Sequence, residues 1–206
     1  MQPLSFASAD DAEELARAEV YGLLAALFYA PADAALHQQF AVAVTEAPVP
    51  GAFLETSWGG LVGAARRLDV AAIRREYDAL FEGVGKPEVF LYGSFYLAGK
   101  LNEKPLVALR HSLRALGIEK SEAVNESEDH IASLCEVMRY LIAGDDAATS
   151  NLAAQRRFYD EHLRGWVETM CTTIEAHPAA DFYAAVARFA RDFFAVEAQA
   201  FDLLDV

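Results

Sequence analysis

Residues 126–141 read Glu-Ser-Glu-Asp-His-Ile-Ala-Ser-Leu-Cys-Glu-Val-Met-Arg-Tyr-Leu. From Ile131 onward the apolar side chains Ile131, Leu134, Met138 and Leu141 recur at the spacing of one α-helical face. Three acids and a histidine stand directly ahead of them. A helix N-terminus has unpaired N–H groups and a partial positive charge, so it welcomes Glu126, Glu128 and Asp129, with Asn125 or Ser127 as the capping residue. His130 fits that picture less well, because a protonated ring would face the positive end of the dipole. The cluster therefore reads as a cap, a metal site or a docking point.

Working outward, the pattern is helix nearly throughout. A first helix starts at Asp10 or Asp11 and buries Leu15, Val20, Leu23, Leu24, Leu27 and Phe28 before Pro31. A second spans Asp33 to Val44, and a third follows the Pro48/Pro50/Gly51 loop over Phe53 to Leu68. Asp69 caps a helix running through Glu82, with Ile73, Tyr77, Leu80 and Phe81 on one face. Gly83, Gly85 and Pro87 then predict a loop, and the aromatic run Phe90 to Tyr96 suits neither periodicity. Glu103 to Leu116 is helical, with Pro105 in its first turn and Gly117 as terminator. Helices follow over Glu128–Ala143, Ala148–Glu175 with a break near Gly165, and Ala179–Leu204. The aromatics of the last helix (Phe182, Tyr183, Phe189, Phe193, Phe194 and Phe201) read as core. The expected architecture is all-α: one domain over residues 1–206, built of two closely packed helical halves. The first spans about 10–117, the second about 126–206, and the polar stretch 118–125 forms a hinge.

Charge limits the partners. Seventeen basic and 31 acidic residues leave a formal charge of −14, so nucleic-acid phosphates and anionic membranes would be repelled and a cationic peptide favoured. Cys135 and Cys171 lack CxxC spacing and read as buried small hydrophobes in a reducing compartment. No basic-then-apolar leader is visible at the N-terminus, and Pro31 and Asp33 interrupt the most apolar stretch, so the expected location is cytoplasmic without membrane insertion.

Catalytic chemistry finds little to work with. None of the five histidines has a glutamate three residues before it, and there is no His-Glu-x-x-His, so neither a di-iron bundle nor a zinc-protease helix is indicated. Gly83-x-Gly85 leads into Lys86 and a proline instead of a phosphate-cradling helix, which argues against a nucleotide loop. No Gly-x-Ser-x-Gly elbow occurs. The expectation is no catalytic residue, no metal and no cofactor. The alternative is a small metal-dependent helical enzyme using Glu126, Asp129 and His130, with His162 as a further ligand.

Two segments together resemble a known family. Glu76-Tyr77-Asp78-Ala79-Leu80-Phe81, a Gly/Pro loop, and Leu91-Tyr92-Gly93-Ser94-Phe95-Tyr96 resemble the first signature of the TorD/DmsD redox-enzyme maturation chaperones. Glu126-Ser127-Glu128-Asp129-His130, with Leu134 and Met138, resembles their second, and Gln155, Phe158, His162, Leu163 and Trp166 a weaker third. Ser127 stands where the family usually has proline, and Tyr92 where the dimethyl-sulfoxide-reductase branch has tryptophan. The resemblance implies an all-α, non-enzymatic chaperone, monomeric or a domain-swapped homodimer. Such a chaperone binds the twin-arginine signal peptide of a molybdopterin-dependent oxidoreductase and holds the apo form for cofactor insertion. It also implies a peptide site at Tyr92, Tyr96, Asp129 and His130, to which the residues read alone add the acids Glu76 and Glu126 and the aromatic Phe81. These lie in a groove between the loop after Phe81 and the helix headed by Asp129 and His130. The residues read alone agree: carboxylates pair with guanidinium groups, and aromatics receive an apolar segment.

Overall fold

The structure is a computed structural model that describes residues 9–46, 53–83, 85–121, 125–146 and 148–204. Ten α-helices follow one another among them. They are α1 (Ala9–Tyr29), α2 (Ala34–Val42), α3 (Glu55–Arg67), α4 (Val70–Tyr77), α5 (Gly93–Ala98), α6 (Lys104–Ala115), α7 (Ile131–Ala143), α8 (Leu152–His162), α9 (Val167–Glu175) and α10 (Phe182–Leu203). The all-α expectation holds. Side-chain caps start several of them: Asp33 accepts from the Leu36 N–H (2.8 Å), Asp69 from Ala72 (2.6 Å) and Asn151 from Ala154 (3.0 Å). Gly117, at φ 69°, takes the left-handed position that ends α6 and that a β-carbon would disfavour. Among the described residues no helix is long and apolar enough to cross a membrane.

α1 packs along α7, and α10 packs on both α9 and α3. The first and last of these pairings join the two halves read on either side of the 118–125 stretch, of which residues 122–124 lie outside the described residues. One continuous core results, which holds Leu24, Leu27 and Phe28 of α1, Leu134, Met138 and Leu141 of α7 and the phenylalanines of α10. Phe182, Tyr183, Phe189, Phe193, Phe194 and Phe201 are all buried, as the spacing predicts. Leu15 is not: it points to solvent, so the stripe of α1 begins a turn later than the sequence suggested.

The helix read through Glu82 changes character at Tyr77. Asp78–Glu82 winds as a π-helical turn, a wider coil often found beside functional sites. Leu80 stays buried, its carbonyl accepts from the returning Val89 N–H (3.0 Å), and Phe81 packs edge-on against both Tyr77 and Tyr183. The predicted break near Gly165 is a turn over residues 163–166 between α8 and α9.

Candidate functional site

The two motif segments meet backbone to backbone. Tyr92 and His130 form an isolated antiparallel bridge. The Ile131 N–H donates to the Leu91 carbonyl (2.8 Å) and the Gly93 N–H to the Asp129 carbonyl (2.9 Å). The Asp129 carboxylate turns inward, accepting from the Ser94 N–H (2.9 Å) and from the Ser127 hydroxyl (2.5 Å). His130 is itself the N-cap of α7, its Nδ1 accepting from the Ala132 N–H at 3.2 Å. Only the neutral imidazole can accept there. Burial pushes its pKa down to about 4, outweighing the pull of Glu126 and Asp129 toward the charged form. A neutral ring at the positive end of a helix is not misplaced.

This corrects the sequence reading in two respects. The cap is neither Asn125 nor Ser127, and α7 begins at Ile131, because Ser127 and Asp129 spend their side chains on each other and on the first turn of α5. Nor do Asp129 and His130 stand open as a groove wall: hydrogen bonds join the Leu91–Gly93 segment to the head of α7, and the two residues are only 3% and 4% exposed.

The remaining predicted residues divide. Tyr92, half-buried, donates its hydroxyl to the Glu126 carboxylate and sets its ring edge-on to His130, centroids 5.0 Å apart. Burial, then that hydrogen bond, raises the Tyr92 pKa. Phe81 joins the same cluster through Tyr77, whose ring lies 5.1 Å away. The Tyr77 pKa is raised by burial first and then by the charges of Glu82, Glu126 and Asp78, while its hydroxyl donates to the Phe28 and Tyr29 carbonyls. Tyr96 lies apart: it stacks on Trp166 (5.6 Å, 19°) and donates to the Phe90 carbonyl (2.9 Å). Gly93 permits this packing, since a β-carbon there would sit 3.1 Å from the Trp166 ring. Glu76 is elsewhere again. Its two oxygens accept from the N–H groups of Asp181, Phe182 and Tyr183 (2.7–3.0 Å), so it caps α10 from α4.

Sequence reasoning missed the partners of these groups. Ser94 holds Asp129, and Arg110 grips Glu128 with two 2.9 Å bonds that lower the carboxyl's pKa. Neither carries a local signal, since each acts across tens of residues. The third pattern is core: Gln155, Phe158, Leu163 and Trp166 are buried, and His162 pairs its Nε2 with the Ser112 hydroxyl at 2.9 Å. Among the described residues no three His, Cys, Asp or Glu side chains are placed to hold a metal ion.

The model of the family described as nitrate reductase delta subunit matches residues 51–172, which include both motif segments and the bridge between them. The chain belongs to that family, the TorD/DmsD redox-enzyme maturation chaperones. The family is one of chaperones, not of enzymes. Chaperone protein TorD of Vibrio cholerae serotype O1, El Tor Inaba N16961, is 30% identical over 134 residues, 62% of this chain and 60% of the relative. TorD of the Classical Ogawa 395 strain matches to the same extent. The chain thus aligns with about three fifths of the length of these TorD relatives. In fold, a chain described as a redox enzyme maturation protein from Archaeoglobus fulgidus superposes with a TM-score of 0.58 at 16% identity, covering 95% of this chain and 99% of that one. This likeness places the helical arrangement in the TorD fold.

Proposed function

We propose that this TorD-family chain is a cytoplasmic chaperone that binds the twin-arginine signal peptide of a molybdopterin-dependent oxidoreductase precursor. It holds the apo form until the cofactor is inserted, and performs no catalysis itself. The observation that carries this reading is the half-buried Tyr92–Glu126 pair, set on a buried Asp129–His130 seam. A half-exposed carboxylate oriented by a tyrosine is an arginine receptor in chemistry, since guanidinium groups pair bidentately with carboxylates. Phe81 and Tyr92, both half-buried, offer ring surface, on which guanidinium groups also stack. The chain's −14 charge adds long-range attraction for a basic segment.

In this reading the seven predicted residues have three roles. Glu126, Tyr92 and Phe81 touch the peptide. Asp129 and His130 position them from beneath. Glu76 and Tyr96 act at one remove, by fixing α10 and α5. Isothermal titration with a synthetic peptide carrying paired arginines ahead of an apolar run tests it. Saturable binding that disappears when both arginines become glutamines is expected. Equal binding by the glutamine peptide would sink the proposal.

A further inference from the structure

The Arg110 side chain of α6 holds Glu128, the carboxylate between Ser127 and Asp129, with its Nε and Nη2 each donating to one oxygen at 2.9 Å. Carboxylates recognise a guanidinium presented by a partner in this same two-pronged geometry. The pair stands at the surface: the Arg110 side chain is 45% exposed and that of Glu128 16%. Arg17 and Glu197 share the geometry, but there the carboxylate is buried. An ion pair as open to water as Arg110–Glu128 contributes little to stability, because solvent and salt screen it. Holding the fold together is a poor account of why Arg110 is there.

Its position supplies a better one. Glu128 follows Glu126 by two residues, so their α-carbons lie within about 7 Å of each other. Glu126 is paired with a neutral hydroxyl, that of Tyr92, whereas Glu128 is paired with a cation. Two arginines adjacent in a peptide therefore meet one carboxylate that is oriented for them and a second that already holds a guanidinium of the chain itself. The second arginine gains Glu128 only by displacing Arg110. That side chain is long and half-exposed, so a change of its own rotamer releases it without any movement of α6. α6 carries Lys104, Arg110 and Arg114 and no acid, so no carboxylate of its own helix draws Arg110 away beforehand. Guanidinium replaces guanidinium, the charge-assisted bonds at Glu128 are conserved, and the exchange is close to balanced.

We propose that Arg110 is an internal competitor of the partner's second arginine: it occupies Glu128 in the free chaperone, yields it when a paired-arginine segment binds, and reclaims it as that segment leaves. The proposal rests on the arginine reading above and adds to it a second receptor, Glu128, and a residue that sets how tightly the segment is held. A chaperone that must hand its client on gains from this, since a tethered rival acts at high effective concentration and speeds release.

Fluorescence anisotropy on the full chain tests it with labelled synthetic peptides that carry paired arginines, or one arginine and one glutamine, ahead of the same apolar run. Arg110→Gln, which leaves Glu128 to the peptide, should bind the paired-arginine peptide about fivefold tighter, the upper worth of an exposed ion pair. The single-arginine peptides should gain less than about twofold, since they need only one carboxylate. Arg114→Gln, at an exposed position one turn along α6, removes the same charge and should also gain less than about twofold. The double variant Arg110→Gln/Glu128→Gln should return to within about twofold of wild type. If Arg110→Gln loses helical content, Arg110→Lys replaces it: the charge stays, the fork is lost, and a smaller gain of the same sign is expected. Equal gains from Arg110→Gln and Arg114→Gln, or a gain that survives in the double variant, would reduce the effect to net charge and overturn the proposal. Unchanged or weaker binding by the Arg110 variants would overturn it too, while leaving the arginine reading standing. Wild-type protein that binds a di-glutamine peptide as tightly as the paired-arginine one overturns both.

Discussion

Where α1 meets α10, Glu197 is 2% exposed and all its chemistry is matched: Arg17 donates to both its oxygens at 2.8 Å, and the Tyr21 hydroxyl to one at 3.0 Å. Where the Leu91–Gly93 segment meets the head of α7, Asp129 and His130 are almost as buried, yet the matched network runs out to a half-exposed carboxylate, Glu126, and a half-exposed ring, Tyr92. Both junctions join elements far apart in sequence. The first is sealed. The second is built the same way underneath but ends at the surface with acid to spare, and that difference is what separates a structural clamp from a candidate receptor.

The sealed junction should be the costlier to break. Glu197→Ala strands the Tyr21 hydroxyl and leaves the guanidinium of Arg17 without its carboxylate. Loss of one partner from a buried pair costs about 3–5 kcal/mol, a large part of a typical 5–15 kcal/mol total. Urea unfolding followed by helical circular dichroism should show this, while the fraction still folded binds peptide normally. A loss below about 1 kcal/mol would mean that water already reaches the pair and that the contrast with the second junction is false.

The second junction should respond to acid. His130 is held neutral in the fold, with its pKa near 4, against an ordinary value of 6.5. Between those values the unfolded chain takes up a proton that the folded chain refuses, so stability is complete above about pH 6.5 and declines as pH falls toward 4. The decline attributable to this ring approaches about 3 kcal/mol. Unfolding free energies at a series of pH values check it. His130→Asn is the control, because asparagine also caps a helix but does not titrate. Its pH profile should be flatter over this window, and an unchanged profile would remove His130 as the cause.

How much of this was written in the sequence depends on how local each signal is. The helix order was legible because apolar spacing, Asp69, Gly117 and the glycine at 165 act within a turn or two of themselves. The π-helical turn at Asp78 was not: its Phe81 packs against Tyr183, about a hundred residues away, a contact that no local pattern reports. Glu76 was assigned to the site by its place in a motif, and only the fold reveals that it faces the start of α10. His130 was flagged for the right reason, an electrostatic misfit with its helix. The misfit resolves through burial, which no sequence pattern reports. The motif, in short, marked the seam, while the exposed edge above that seam had to be seen.

Within the second junction, Asp129→Ala separates support from contact. It leaves the buried Ser94 N–H and the Ser127 hydroxyl without their acceptor, at a cost of about 2 kcal/mol. The start of α5 should loosen, seen as faster hydrogen exchange of the Ser94 amide. Peptide affinity should fall as a consequence and recover in part with Asp129→Asn, whose amide oxygen still accepts from Ser94. Equal damage from both substitutions would place the Asp129 charge itself in the receptor.

The smallest expected effect on stability carries the most weight for function. Glu126→Gln keeps an oxygen to accept from Tyr92 and removes only the charge. Because Glu126 is half-exposed, unfolding free energy should change by less than about 0.5 kcal/mol. Affinity for a paired-arginine peptide should nonetheless fall about tenfold, the worth of one well-formed charge-assisted contact. Salt sharpens the reading: raising ionic strength should weaken wild-type binding more than that of Glu126→Gln, because the variant has one ion pair fewer to screen. A stable Glu126→Gln protein that binds as tightly as wild type, with the same salt dependence, would return the Tyr92–Glu126 pair to the same class as Glu197 and erase the distinction between the two junctions.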